Sequence, residues 1–243
     1  MQTVLCMKWG ARYPAGYVNR LWSMIARNTQ RPTQLICFTD DASGLDDAII
    51  VRPLPAINIP EDISYTPWRK LSVWQDGLVT GVGDLLFIDL DMVITGSVDV
   101  FFDYKPGEYC VIHNWTQPRL KVGNTSVFRF PAGRYRKIFD EFNADPEAVR
   151  REFRIEQQYI SNRIPEQNFW PENYVVSFKH SLLPKWPMNF FLTPQLPTDV
   201  HCVAFTGKPD PEDAVCGHWP VEASWKRLYK HVRPAPWIAE HWC

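Results

Sequence analysis

The chain of 243 residues lacks the marks of several protein classes. It has no run of about 18 consecutive apolar residues, the length that a membrane-spanning helix needs. Its N-terminus shows no basic region followed by a long apolar segment, so no secretory signal is visible. Its 26 Lys and Arg against 27 Asp and Glu give a net charge of -1, which argues against binding nucleic acid through bulk positive charge. We therefore expect a cytoplasmic protein without a nucleic-acid partner.

The six cysteines form no recognisable metal-binding or disulfide pattern. None belongs to a Cys-x-x-Cys pair, and no histidine follows at zinc-ligand spacing. Cys6, Cys37 and Cys202 lie inside apolar, strand-like runs, where a cysteine behaves as a small apolar residue. We expect buried free thiols in a reducing compartment.

Tryptophan and proline, by contrast, are abundant, with 11 and 21 residues. Such a composition is typical of irregular loops and of flat surfaces that hold sugars or bases, although aromatic residues also fill cores. The C-terminal segment alone contains Trp219, Trp225, Trp237 and Trp242. We expect this Trp-rich tail to lie across the domain, with a platform for an acceptor or a peripheral membrane contact as alternatives.

Strand-like and helical patterns alternate along the first part of the chain. Apolar runs of strand length occupy 4–7, 35–39 and 48–51, and apolar residues recur at helical spacing over 17–28. This alternation predicts an α/β fold with a mainly parallel central sheet flanked by helices. Further helices are predicted at 68–74, 134–142 and 151–160, and further strands at 109–112, 126–130, 174–178 and 203–205. We predict one domain over 1–243, with a nucleotide-binding half over 1–100 and an acceptor and sugar half over 101–243.

The most informative feature is a buried strand that ends in two acids. The apolar run over 85–88 is followed by Asp89, Leu90 and Asp91. Because residues two apart on a strand point the same way, the two carboxylates are predicted to converge at the strand's C-terminal end. Like charges held that close repel unless a cation lies between them, and Mg²⁺ prefers oxygen ligands and accompanies phosphate. The pair therefore predicts a site for metal and phosphate.

One family with this arrangement is the haloacid-dehalogenase-like phosphatases. Residues 89–93 resemble their Asp-x-Asp-x-Thr/Val motif, in which Asp89 would be the nucleophile and Asp91 the general acid. Gly207 and Lys208 resemble their lysine motif. Two strand–helix units precede the acids here, however, and the acidic motif expected after the lysine is missing. This phosphatase stays an alternative.

The second family is the nucleotide-sugar glycosyltransferases of the GT-A fold, whose Asp-x-Asp follows a nucleotide-binding half, as here. Residues 124–128 resemble the Asn-x-Gly/Ser-Val motif of the glycogenin-like transferases of family eight. Residues 156–161 resemble their Asp-Gln-Asp-x-x-Asn helix start, with Glu156 in place of Asp. Residues 206–209 resemble their closing His-x-x-Gly-x-x-Lys-Pro motif, with a shorter spacing around Gly207. These motifs occur in the family's order across most of the chain.

The resemblance implies a metal site of Mn²⁺ or Mg²⁺ at Asp89 and Asp91. Such a cation neutralises the charge that develops on the diphosphate leaving group. No histidine stands in register in the closing motif, so His201 is the candidate third ligand, and His218 is an alternative.

The same resemblance implies roles around the transferred sugar. Asn124, Glu156 and Gln157 would surround the sugar as the catalytic group, with Glu156 as nucleophile or ion-pair stabiliser in a reaction that retains the anomeric configuration. Leu90 would lie against the donor, and Lys208 would stabilise the leaving phosphate.

Position along the chain suggests further donor contacts. The loop after the first strand offers an aromatic ring to stack on a base, and the end of the second strand offers oxygens for a base or ribose. A cation just before the acidic strand suits a phosphate. The donor-binding candidates chosen by position are Lys8, Trp9, Tyr13, Thr39, Asp40 and Lys70.

The sequence thus predicts a metal-assisted glycosyltransferase of the hexosyltransferase class. Its donor would be a nucleoside diphosphate sugar, with UDP favoured by the resemblance, and its acceptor a glycan or another hydroxyl compound. A GT-A-like module that binds a nucleotide or glycan without turnover is the non-enzymatic alternative. The acceptor is not predicted, because acceptor sites lie on variable loops.

Overall fold

A computed structural model describes residues 1–243 and divides into two compact units. The first unit comprises 1–18, 31–90 and 100–170, and the second comprises 19–30, 91–99 and 171–243. Each unit contains its own sheet. The assignment of the whole chain to one domain stays a prediction.

Ten strands and seven α-helices form the regular structure. The strands are β1 (Gln2–Lys8), β2 (Thr33–Thr39), β3 (Ile50–Pro53), β4 (Asp84–Ile88), β5 (Met92–Ile94), β6 (Cys110–His113), β7 (Gly123–Pro131), β8 (Asn168–Phe169), β9 (Val175–Ser177) and β10 (Cys202–Ala204). The helices are α1 (Ala15–Arg27), α2 (Val100–Asp103), α3 (Lys137–Ala144), α4 (Pro146–Glu152), α5 (Glu156–Arg163), α6 (Pro211–Cys216) and α7 (Trp237–His241). Short 3₁₀ helices cover Glu61–Ile63, Pro67–Trp74, Met188–Phe190 and Ser224–Leu228, and one π-helical turn covers Phe178–Leu182.

The first unit is built on a seven-stranded sheet in the order β3-β2-β1-β4-β7-β6-β8. Neighbours from β3 to β4 are parallel, β7 runs antiparallel to both β4 and β6, and β8 is parallel to β6. Strand β1 is buried along its whole length, which explains the apolar run over 4–7 at its centre. The predicted α/β fold with a mainly parallel sheet is confirmed.

Aromatic side chains anchor the 3₁₀ helix Pro67–Trp74 to the core of the first unit. The Trp68 ring stacks on Phe142 at 5.3 Å between ring centroids. The Trp74 ring lies 5.4 Å from Phe128 and 4.5 Å from Phe130. Buried rings at both ends leave this short helix little freedom to rotate, so the backbone of Lys70 between them is fixed.

Two predicted elements are wrong in their extent. The helix expected at 151–160 is two helices, because Phe153 and Ile155 adopt extended backbone and Phe153 is buried. The acidic strand ends at Ile88, and a turn at Leu90 and Asp91 leads into β5, which belongs to the other sheet. Strand alternation therefore does not extend to Asp91. The segment 68–74 is helical as predicted, in the 3₁₀ form, and the other predicted elements are present with ends shifted by a few residues.

The second unit is built on a three-stranded sheet in the order β5-β10-β9, with β10 antiparallel to β5 and parallel to β9. Its C-terminal segment is fixed by Arg27, whose guanidinium donates to the carbonyls of His241 and Cys243, each at 2.7 Å. The Arg20 guanidinium lies 4.2 Å from the centroid of the buried Trp242 ring.

All six cysteines are free, and Cys6, Cys37 and Cys202 are buried, as predicted. None of the helices combines the length and the apolar character required to cross a membrane.

Candidate functional site

An irregularity in β7 shapes the polar face of the first unit. Strands β6 and β7 pair at Val111–Phe128 and then at Ile112–Asn124, so extra residues of β7 bulge out between these pairs. The indole N–H of Trp170 donates to the carbonyl of Val127 at 3.1 Å and satisfies one polar group of the bulge. Bulges commonly redirect side chains beside active sites. Here the bulge contains two of the polar residues of the predicted Asn-x-Ser motif.

Four side chains form a connected group, which we call the Lys70 network: Asp89, Lys70, Thr125 and Glu156. All but the partly exposed Asp89 are buried. The Lys70 ammonium donates to the two Asp89 carboxylate oxygens at 3.1 and 3.3 Å. It also donates to the carbonyl and the hydroxyl of Thr125, at 3.0 and 3.2 Å. The Thr125 hydroxyl in turn donates to Glu156 Oε1 at 3.0 Å. The network thus connects the end of β4 with the start of α5.

The environment of Asp89 works against its charge. Burial raises the pKa of its carboxyl, while the Lys70 ammonium and a hydrogen bond from Ser126 oppose that rise. The backbone N–H of Asp89 donates to the Ser126 carbonyl at 2.8 Å, which fixes the position of the residue. The Asp89 side chain is 25% exposed, against 6% for Lys70. A ligand can therefore reach the network at Asp89.

Glu156 and Gln157 begin α5, where a carboxylate compensates the helix dipole. Glu156 is almost fully buried, and its carboxylate accepts from Thr125. The side-chain oxygen of Gln157 accepts from the side-chain amide of Asn114 at 2.8 Å. Asn124 is buried on β7, and its side-chain oxygen accepts from the backbone N–H of Ser126 at 3.0 Å.

Asn114 and Thr125 were not singled out from the sequence. Asn114 follows the end of β6, and its side-chain oxygen accepts from the N–H and hydroxyl of Thr116, at 2.9 and 2.7 Å. A polar residue directly after a buried strand was the signal that could have identified it.

Three predicted donor residues at the ends of β1 and β2 form hydrogen bonds with neighbouring loop residues: Lys8, Thr39 and Asp40. The Lys8 ammonium donates to the carbonyl of Asp41 at 3.0 Å, and the Thr39 hydroxyl donates to the same carbonyl at 2.9 Å. The Asp40 carboxylate accepts from the N–H of Gly10 at 2.9 Å. These contacts brace two neighbouring loops of the first unit.

The aromatic candidates of this region differ in their surroundings. Trp9 packs against the core. The centroids of the Tyr13 and Tyr17 rings lie 4.8 Å apart, and the Arg12 guanidinium lies 5.0 Å from the centroid of the Tyr13 ring. The exposed Tyr65 ring lies on Gly10: a Cβ at that glycine would be 2.8 Å from it. Tyr65 is a further stacking surface that the sequence did not indicate.

Lys208 lies in the second unit and is held by carboxylates. Its ammonium pairs with Asp210 and, at 3.4 Å, with Asp213, and the hydrogen bond to Asp210 raises the pKa of Lys208. The side chains of Asp210 and Asp213 form the capping box of α6. His218 Nδ1 lies 3.5 Å from the Asp213 carboxylate.

His201 is a partly buried imidazole directly before β10. Burial lowers its pKa, which favours the neutral form that ligates metals. Its buried Nδ1 has no hydrogen-bond partner and lies 2.7 Å from the position of a Cβ on Gly96. The Tyr174 ring packs edge-on against it at 5.2 Å between centroids.

The residues present can be compared with the needs of a divalent cation. No group of three or more His, Cys, Asp or Glu side chains is arranged to hold a metal ion. Mg²⁺, however, is commonly held by one or two carboxylates together with water and substrate phosphates. The Asp89 carboxylate retains acceptor capacity beyond its two contacts with Lys70, because a carboxylate offers about four lone-pair sites. The Asp89 carboxylate, with water and the phosphates of a substrate, therefore fits the chemistry of a hard cation.

Solved glycosyltransferase structures share this fold. The galactosyltransferase LgtC bound to donor and acceptor sugar analogues matches 86% of this chain and 89% of its own, with a TM-score of 0.60 and 12% identity. The glycosyltransferase GlyE of Streptococcus pneumoniae TIGR4 matches 87% of this chain and 56% of its own, with a TM-score of 0.58 and 13% identity. Mouse xyloside xylosyltransferase 1 matches 86% of this chain and 99% of its own, with a TM-score of 0.52 and 11% identity. No protein-family model and no curated protein matches the chain. The chain has the GT-A fold that its sequence predicts.

Proposed function

We propose that this chain is a glycosyltransferase that moves a sugar from a nucleoside diphosphate sugar to a hydroxyl of a glycan or other acceptor. The observation that carries the proposal is the Lys70 network, which starts where the parallel strand β4 ends. Open α/β sheets bind their ligands beyond the carboxyl ends of parallel strands. The neighbouring loops after β1 and β2, with Lys8, Trp9, Tyr13, Thr39 and Asp40, would hold the nucleotide.

The two ends of the donor, its diphosphate and its sugar, would contact different parts of the site. Asp89, with Leu90 and Asp91 beside it in sequence, would face the diphosphate. A divalent cation there, Mn²⁺ or Mg²⁺, would neutralise the charge that develops on the leaving group. Lys70 orients Asp89 and opposes the rise in its pKa that burial causes. His201 as a third ligand and Lys208 as a phosphate contact belong to the proposal, and Lys208 would exchange its carboxylate partners for phosphate.

The sugar end would lie against Asn124, Glu156 and Gln157. The bond from the anomeric carbon to the donor phosphate oxygen breaks, and a bond from that carbon to the acceptor oxygen forms. The acceptor's proton leaves with the nucleoside diphosphate or passes to solvent. Glu156 would stabilise the positive charge that develops at the anomeric carbon. We propose that the anomeric configuration is retained, as the family-eight resemblance implies.

The phosphatase alternative is not favoured. The chain has the fold of glycosyltransferases. A phosphatase would release phosphate from an aryl phosphate, which we do not expect.

Thermal denaturation with UDP- and GDP-sugars, with and without Mn²⁺, tests donor binding. A ligand that binds the folded state raises the melting temperature, so the donor should do so, and more strongly with the metal. Slow hydrolysis of that donor would show turnover. Binding without hydrolysis and without transfer to any hydroxyl acceptor would instead support the non-catalytic module.

Asp91→Asn tests the predicted metal carboxylate. We expect loss of sugar transfer and of the metal-dependent rise in melting temperature, with the fold intact, because Asp91 is a partly exposed turn residue. Asp47→Asn, at an exposed carboxylate, is the matched control and should behave as the wild type. Unchanged transfer by Asp91→Asn would remove the central claim.

A further inference from the structure

The second unit contains a cavity of about 670 Å³ whose lining includes none of the proposed donor residues. The ammonium of its Lys179 lies 3.9 Å from the position of a Cβ on Gly207, the residue before Lys208. Its walls come from the π-helical turn Phe178–Leu182, from the residues that follow it, and from residues before and after the 3₁₀ helix Ser224–Leu228. Single-turn π-helices occur often at functional sites.

The cavity is positively charged and has no counter-charge. Lys179, Lys185 and Lys230 line it, and no Asp or Glu does. None of the three ammonium groups forms an ion pair with a carboxylate of the chain. Burial, together with the nearby Lys230 cation, lowers the pKa of Lys179. Cations placed together without an anion are unfavourable, so an anionic ligand would stabilise this arrangement.

Two buried polar atoms of the lining are also unpaired. The Asn189 side-chain amide donates to the carbonyls of Tyr229 and His231, at 3.0 and 2.9 Å, which fixes its orientation. Asn189 is 2% exposed, and its oxygen has no partner. The buried indole N–H of Trp219 likewise has none. The lining residues thus contain one buried acceptor and one buried donor that have no partner within the chain.

The remaining lining supplies flat apolar surface. Trp186, Trp219 and Tyr229 line the cavity, and the Lys230 ammonium lies 5.8 Å from the centroid of the Trp219 ring. Aromatic rings with a polar edge suit a ligand that is partly apolar and partly hydroxylated, such as a sugar ring. A phosphate monoester carries close to two negative charges at neutral pH, which suits several ammonium groups better than a carboxylate does.

We propose that this cavity binds a phosphorylated saccharide, with its phosphate at Lys179, Lys185 and Lys230 and its sugar against the aromatic rings, Asn189 and Trp219. This binding does not rest on the proposed glycosyltransferase function.

Calorimetric titration of the full chain with three probes tests the binding: glucose 6-phosphate, glucose and inorganic phosphate. We expect glucose 6-phosphate to bind more tightly than either of the others, since only it uses both parts of the cavity. Lys179→Gln and Lys230→Gln should each weaken it about ten- to a hundredfold, the range for loss of one charge-assisted hydrogen bond. Lys137→Gln, at an exposed lysine on α3, is the matched control and should not.

The competing outcomes overturn the proposal in separate ways. Equal affinity for glucose 6-phosphate and inorganic phosphate would show an anion site without saccharide recognition. Loss of UDP binding in the Lys179 and Lys230 variants would show that the cavity belongs to the donor. Unchanged affinity for glucose 6-phosphate in both variants would place its binding elsewhere. Failure of the proposed function would appear instead as absent donor hydrolysis and transfer, with glucose 6-phosphate binding intact.

Discussion

Lys70 is the residue at which the charge of the candidate site is balanced. Its side chain is 6% exposed and contacts a carboxylate, a carbonyl and a hydroxyl at once. A buried ammonium without such partners would be strongly unfavourable. The short helix Pro67–Trp74, held by buried tryptophans, places that one cation at the end of β4.

Lys70→Met should move the acidic limb of the pH–activity profile to higher pH. Burial raises the pKa of Asp89 and Lys70 opposes it, so without Lys70 the carboxyl takes up its proton at a higher pH. A protonated Asp89 no longer supplies its negative charge, and activity falls. The measurement is kcat/KM against pH, with Lys137→Met as the control at an exposed lysine. If the acidic limb of the profile stays at the same pH in Lys70→Met, a group other than Asp89 controls it.

Glu156→Gln should lower kcat by about two to three orders of magnitude, the range for removal of one electrostatic stabiliser of a transition state. Glutamine has nearly the same shape, and its oxygen can still accept from the Thr125 hydroxyl, so the fold and donor binding should persist. Steady-state kinetics and donor titration separate the two effects. A wild-type kcat would assign Glu156 a purely structural part.

At the scale of elements, the bulge in β7 depends on a glycine that begins the strand. A Cβ on Gly123 would lie 2.7 Å from Val111 Cγ1 and 2.8 Å from Val111 Cγ2. The Gly123 N–H also donates to the Ser161 hydroxyl of α5 at 2.8 Å, so the strand cannot easily move aside.

Gly123→Ala should therefore lower the free energy of unfolding by about 1–3 kcal/mol, the usual cost of overpacking. Transfer should fall as well, because Asn124 and the bulge follow directly. Gly83→Ala is the matched control, since a Cβ there meets nothing within 4 Å and its φ is not positive. Urea denaturation of both variants measures the difference, and equal stabilities would contradict the crowding argument.

Element by element, what the sequence could predict depends on how local the signal is. Strand β4 was recognisable because its residues 85–88 are buried and therefore apolar. The break between α4 and α5 was not, because Phe153 falls in line with the helical spacing while its side chain enters the core in extended backbone.

The site was predictable only in part. The motif residues Asp89, Asn124 and Glu156 could be found by resemblance. Thr125 and Asn114 could not, since they act through partners 55 and 43 residues away, Lys70 and Gln157. Whether Lys8 and Lys208 would be held by nearby carbonyl or carboxylate groups likewise depends on how the loops fold.

At the scale of the whole molecule, four of the six cysteines are buried and two are exposed. Cys6, Cys37, Cys110 and Cys202 are buried, whereas Cys216 and Cys243 are exposed. Burial raises the pKa of Cys110 to about 11, which further suppresses the reactive thiolate.

Titration with an aromatic disulfide reagent should therefore modify two thiols rapidly in the native protein and all six after denaturation. Replacing Cys216 and Cys243 by serine should abolish the rapid phase without changing the melting temperature. A third rapidly reacting thiol in the native state would show that one of the two cores opens readily.

The helix that carries Lys70 also places two fluorescent side chains close to that lysine in sequence. Trp68 and Trp74 lie two residues before and four residues after that lysine, and both are fixed against the core by aromatic stacking. Indole emission responds to nearby charge, so a diphosphate that changes the pairing of Lys70 would alter the fluorescence of these two residues. The chain carries an intrinsic optical reporter of its own occupancy, and donor binding can be followed in real time without a label.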